Sequence, residues 1–135
     1  MPKMIFVNLP VKDLDRAKDF FTKLGYEINP QFTDQNAACV VIADGSIYTM
    51  LLVEPFFQGF SKRDLPDYST TTGSIIALSA DSREEVDAYV ERALANGATE
   101  GHSNIDEGPM YGRSFHDLDG HLWEYTWMDP AAIEG

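Results

Sequence analysis

Residues 9–27, LPVKDLDRAKDFFTKLGYE, decide how this chain folds. The segment reads as the end of a strand, an acidic helix start, an amphipathic helix, a glycine stop and a second strand. Ile5 to Leu9 forms the first strand and Pro10 ends its pairing. Asp13 caps the helix, because a short side-chain oxygen can accept an otherwise orphaned backbone N–H. Leu14, Ala17, Phe21 and Leu24 fall at helical spacing and make one apolar face. Gly25 stops the helix. Residues 77–100, ALSADSREEVDAYVERALANGATE, repeat the order, and the two helix starts, Asp13 and Asp81, lie roughly half the chain apart. Two copies of one supersecondary unit imply a pseudo-symmetric fold. In such a fold a site is expected where the two halves line one cleft.

The intervening sequence fills in each half. Ala37–Ala43 and Ser46–Val53 flank Asp44-Gly45, a hairpin signal. In the second half Ser74–Ala80 reads as a strand, and Ser82 with Glu85 forms a capping box. Val86, Tyr89, Val90, Ala93 and Leu94 give that helix its buried face, and Gly97 ends it. A short strand is expected near Thr99–Ser103. The stretch NIDEGPMYG (104–112) reads as mobile, and Tyr111–His116, the turn DLDG and His121–Met128 close the half. Each half is thus a strand and a helix followed by three strands. The join, EPFFQGFSKRDLPDYSTTTG (54–73), reads as a loop. Its Phe56, Phe57 and Phe60 either cover a cleft or a subunit contact, or seal the edge of the core. The organisation expected is one domain over 1–135: a first module at about 1–54, a linker at 55–73 and a second module at about 74–130.

Bulk properties narrow the function. The 135 residues carry 22 acidic and 10 basic side chains, a net charge of −12, and are 44% hydrophobic. That charge repels phosphate backbones and anionic lipid, so neither nucleic acid nor membrane is an expected partner. Cys39 is the only cysteine and sits in the apolar run AACVVIA, which excludes an internal disulfide and favours an inert core thiol. The opening MPKMIFVNLP has too short an apolar stretch for a secretory signal, and no run reaches spanning length. A cytoplasmic location is expected.

Three segments together resemble the vicinal-oxygen-chelate superfamily, which includes glyoxalase I, extradiol dioxygenases, and the bleomycin and fosfomycin resistance proteins. LPVKDLDRAKDFFTKLGYE is similar to its opening strand and helix. SIIALSADSREEVDAYVERALANG (74–97) is similar to the start of its second module, and GRSFHDLDGHLWEYTW (112–127) to its closing hairpin. The resemblance implies an α+β fold of paired βαβββ modules, each curling a mixed sheet around a cleft, commonly as a homodimer. In metal-dependent members, side chains from the first and last strands of each module hold a divalent ion that acts as a Lewis acid on adjacent substrate oxygens. Matched residue by residue, those positions fall at Phe6, near Leu51, at Ile75 and at Glu124. One carboxylate does not hold a catalytic ion against water. The expectation is therefore no metal and no cofactor. His116 and His121, beside Asp117 and Asp119, read as turn chemistry rather than a metal cluster.

Without a metal, Glu124 is the tentative catalytic residue. Strand alternation puts it on the cleft face with Leu122 and Thr126, and Trp123, Tyr125 and Trp127 on the other. A carboxylate among Phe6, Ile75 and Met50 is expected to have a raised pKa and to serve as general acid or base. The alternative is a structural ion pair, with Arg113 as the obvious partner. Phe6, Asn8, Met50, Ile75, Met110, Tyr111 and Arg113 are the expected ligand-binding residues, with packing as the alternative for each. The expected function is binding of a small, partly apolar molecule without the metal centre. The alternatives are a glyoxalase-like lyase or isomerase acting on a small oxygenated substrate, metal-dependent or using Glu124, and a purely structural or regulatory dimer whose cleft is filled.

Overall fold

The computed structural model describes residues 2–133. The chain divides into two compact units, the first running to Asp67 and the second beginning at Tyr68. The first contains β1 (Ile5–Val11), α1 (Leu14–Leu24), β2 (Glu27–Asn29), a 3₁₀ turn (Pro30–Phe32), β3 (Ala37–Ala43), β4 (Ile47–Val53) and α2 (Glu54–Gln58). Its sheet runs β1-β4-β3-β2, with β1 parallel to β4 and the other pairs antiparallel. Asp13 accepts from Arg16 N at 3.1 Å and starts α1. Leu14, Ala17, Phe20, Phe21 and Leu24 are buried, as are Leu9, Val11, Ala38, Val40 and Leu51, and α1 packs on β3 and β4. Each fully buried large side chain contributes roughly 1.5–3 kcal/mol. Alternation leaves Phe6, Asn8, Met50 and Leu52 on the opposite, open face.

The strand does not stop at Pro10. It continues to Val11, with Pro10 opposite Leu52. β1 is an outer strand of this sheet, so a residue whose N–H points away from β4 loses nothing by being proline. The join is not all loop either. Residues 54–58 form α2, because Pro55 sits in the first turn, where its missing N–H has no partner to lose.

The second unit contains β5 (Ile75–Ser79), α3 (Arg83–Ala95), β6 (Thr99–Glu100), β7 (Ile105–Glu107), β8 (Met110–His116), β9 (Leu122–Met128) and α4 (Pro130–Ile133). Its main sheet order is β5-β9-β8-β6, with β7 also on β8. β5 runs parallel to β9, as β1 does to β4. Ser82 accepts from Glu85 N at 3.0 Å, while Glu85 reaches back to Asp81 N at 3.3 Å, so the capping box closes one residue early. Val86, Val90 and Ala93 are buried, as are Phe115, Trp123 and Tyr125 on the helix side of the sheet. Tyr89 stacks on Tyr125 with ring centres 4.6 Å apart. The NIDEGPMYG stretch is a paired hairpin, not a mobile loop. Ile105, Asp106 and Glu107 face Gly112, Tyr111 and Met110, and Gly108 turns the chain at φ +59.

Candidate functional site

Two places on the open sheet faces carry chemistry, one in each unit. In the first, β1 and β4 pair so that Asn8 lies opposite Met50 and Pro10 opposite Leu52. Above them stand Phe32 of the 3₁₀ turn, Phe56 of α2, and Phe60 just beyond it. Asn8, Met50, Leu52, Phe32, Phe56 and Phe60 line a cavity of about 420 Å³. A second, of about 450 Å³, shares Asn8, Leu52 and Phe60 and is completed by Phe57 and Ser61. These volumes suit a small molecule. Phe60 is 74% exposed and Phe32 60% exposed, so neither seals the core. Asn8 donates to Phe6 O at 3.1 Å, which steadies its amide. Phe6 stacks on Tyr48 at 5.1 Å, on the same face.

In the second unit, Glu124 of β9 lies between Ala77 of β5 and Ser114 of β8. Its partner is His102, not Arg113. His102 Nε2 sits 2.7 Å from Glu124 Oε1, and Thr126 Oγ1 donates to Oε2 at 3.3 Å. His102 Nδ1 lies 2.8 Å from Ser103 O. The loop reaches this far because Gly101 has no side chain. A Cβ there would stand 2.3 Å from Ser114 Oγ. Ile75 is exposed on β5 opposite Leu122, and Met110 opens β8 opposite Met128.

Tyr111 and Arg113 go elsewhere. Arg113 pairs across the ladder with Tyr125, on the α3 side. It bonds Asp87 at 3.0 Å and Glu91 at 2.8 Å, and the Tyr111 hydroxyl donates to the same Asp87 oxygen. That bond, opposed by partial burial and aided by Arg113, holds the Asp87 carboxyl below its usual range. These two residues tie α3 to β8.

His121 and Asp117 also act within the fold. Asp117 accepts from Asp119 N, His121 N and Trp123 Nε1 at 2.9, 3.0 and 2.9 Å, and burial pushes its carboxyl up despite those bonds. Cys39 is buried, and burial pushes its thiol up.

Residues 3–43 match the family model described as bleomycin resistance protein-like N-terminal. Hypothetical protein SA1046 from S. aureus is 28% identical, with a TM-score of 0.76 over 94% of this chain and 95% of that one. A glyoxalase/bleomycin resistance protein/dioxygenase family enzyme from Burkholderia phytofirmans PsJN is 15% identical, with a TM-score of 0.75 over 94% and 99%. The fold is that of the vicinal-oxygen-chelate superfamily. The fosfomycin resistance protein FosX from Listeria monocytogenes shares it at 21% identity, with a TM-score of 0.67 over 97% of each chain. A glutamate-to-glutamine mutant of that protein is complexed with Mn(II) and a dihydroxypropylphosphonic acid. No curated protein matches the sequence.

The vicinal-oxygen-chelate fold implies a divalent ion, and the donors on these strands do not fit one. To the open faces β1 offers Phe6 and Asn8, β4 offers Met50 and Leu52, and β5 offers Ile75 and Ala77. Leu51, matched from the sequence, is fully buried on the α1 side instead. From the strands only Glu124 is a ligand of the right type, and His102 of the adjoining loop makes two, too few to hold a catalytic ion. Among the described residues no three His, Cys, Asp or Glu side chains converge on a common point. His102 is the functional candidate that sequence reading missed. It follows a two-residue strand, in a loop with no periodicity to aim it.

Proposed function

We propose that this protein binds a small, partly apolar molecule on the open face of its first unit, without a divalent ion. The observation that carries this reading is the pair of adjoining cavities over β1 and β4, floored by Asn8, Met50 and Leu52 and walled by exposed phenylalanines. Apolar walls supply affinity and a few fixed polar atoms supply orientation. Calorimetric titration with N-phenyl-1-naphthylamine, an uncharged aromatic probe, tests it. Saturable binding that survives EDTA and is lost in Leu52→Arg supports the reading. The absence of saturable binding removes it. The protein acts as a homodimer in this reading, which sedimentation measures.

The contact between His102 and Glu124 favours a second reading, an isomerase or lyase acting on a small oxygenated substrate. Ser103 O can only accept, so Nδ1 carries a proton. A hydrogen bond between Nε2 and Oε1 takes one further proton, on either the ring or the carboxyl. A carboxylate and an imidazole sharing a proton can lend and recover it in a reaction with no net proton change. Glu124→Gln abolishing turnover with folding intact supports this reading, and unchanged turnover removes it.

A further inference from the structure

We infer that the cavity of the first unit takes an organic ammonium ion, an apolar body bearing a protonated amine. The inference rests on the binding reading above and adds the charge and donor character of the ligand. Three observations point the same way.

First, the cavity holds a negative charge and no positive one. Asp34 lines it, and among the described residues no Lys or Arg lines either cavity. Lys62 and Arg63 follow Ser61 but stay outside the lining. Lys12, near the end of β1, is paired with Glu54 at 2.9 Å. The net charge of −12 biases the surrounding potential toward cations as well.

Second, the Asp34 carboxylate is held in place and keeps an acceptor for a ligand. Asp34 Oδ1 takes Asn36 N at 2.8 Å and Ala37 N at 3.1 Å, so the carboxylate is fixed in place. Its Oδ2 has no hydrogen bond among the described residues. Asn8 spends one of its two amide hydrogens on Phe6 O, and its Oδ1 is an acceptor. Thr33 donates its hydroxyl proton to Asn29 O at 2.7 Å. Asp34 is exposed, so an ammonium N–H replaces water at its Oδ2 with a charge-assisted hydrogen bond.

Third, the walls suit a cation. Phe56 and Phe60 meet edge to face with centres 5.2 Å apart, and Phe32 and Phe60 are mostly exposed. The negative face of an aromatic ring attracts an ammonium group, and the apolar remainder of the ligand is buried with it.

A matched series tests the inference: 2-naphthylmethylamine, which is cationic at neutral pH, 2-naphthylmethanol, which is neutral, and 2-naphthoate, which is anionic. Affinities are measured by calorimetry on the full chain at low and moderate salt, with the wild type and Asp34→Asn. The asparagine keeps the Oδ1 acceptor and removes the charge. The amine is expected to bind roughly tenfold more tightly than the alcohol, with the naphthoate weakest. Asp34→Asn should remove most of the amine's advantage over the alcohol. Should the variant not fold, loss of the wild-type preference with added salt carries the same information. Equal binding of amine and alcohol, or an amine preference untouched in Asp34→Asn, overturns the charge inference and leaves the binding reading standing. Failure of all three compounds to bind overturns both.

Discussion

His102 Nε2 and Glu124 Oε1 stand 2.7 Å apart on the open face of the second unit, with Ser103 O 2.8 Å from the other ring nitrogen. A carbonyl cannot donate, so the ring must carry its proton on Nδ1. The short Nε2 contact needs a second proton, on the ring or on the carboxyl. Long-range proton–nitrogen spectra at neutral pH should show His102 Nδ1 protonated. In Glu124→Gln, Nδ1 should stay protonated, with Nε2 accepting from the amide. A ring protonated only at Nε2 in the wild type contradicts the geometry.

Gly101 positions this pair. Its missing side chain lets the backbone approach Ser114, and Gly101 N donates to Ser114 O at 3.2 Å. Gly101→Ala places a methyl against both Ser114 and Leu122. The expected cost is about 1–3 kcal/mol in denaturant unfolding. The His102 spectrum should move with it, because the loop must lift. An alanine variant as stable as the wild type, with His102 unmoved, contradicts the account.

Acid should loosen the attachment of α3 to β8. The Tyr111 hydroxyl bond is the leading cause of the lowered Asp87 pKa, with Arg113 adding to it and desolvation opposing. A carboxyl lowered on folding contributes stability that is present above its unfolded value, near about 4, and lost as pH falls through the folded value. Tyr111→Phe removes that leading cause. Carboxyl carbon NMR should show Asp87 titrating closer to an ordinary aspartate. The acid-linked loss of stability contributed by Asp87 should become smaller and be complete at a higher pH. The effect on stability stays small, because the Asp87 side chain is 47% exposed. An unchanged Asp87 titration contradicts the assignment.

The closing hairpin depends on Asp117. Three N–H groups, from Asp119, His121 and the Trp123 indole, converge on its carboxyl, and Tyr68 packs on His121 with ring centres 4.4 Å apart. Asp117→Ala orphans buried donors and should lower unfolding free energy by on the order of 3 kcal/mol. The emission of Trp123 should change as its indole loses that partner. A change of less than about 0.5 kcal/mol is what an unstructured surface turn would give, and would contradict this role.

The repeated strand–helix–glycine order carried the architecture, because periodicity and caps are local signals. What failed was reach. The family match near Leu51 falls on a buried residue, and Met50, the expected ligand-binding residue beside it, is the one on the open face. Arg113 was matched to Glu124 across neighbouring strands. Pairing sets Ser114 opposite Glu124, and only the register between β8 and β9 decides that. Ile105 to Met110 carries the polar composition of a loop but folds as a hairpin at the sheet edge, where little apolar burial is required. His102 meets Glu124 through a contact between distant positions, permitted by a glycine whose significance appears only beside Ser114.

The central claim is that the first unit holds a ligand between its sheet and its phenylalanines. Methyl NMR of the methionines during titration with N-phenyl-1-naphthylamine tests it most directly, because Met50 lines the cavity. The expected result is a saturable shift of the Met50 methyl that is lost in Leu52→Arg. No saturable response at Met50, or the same response in Leu52→Arg, would contradict the claim.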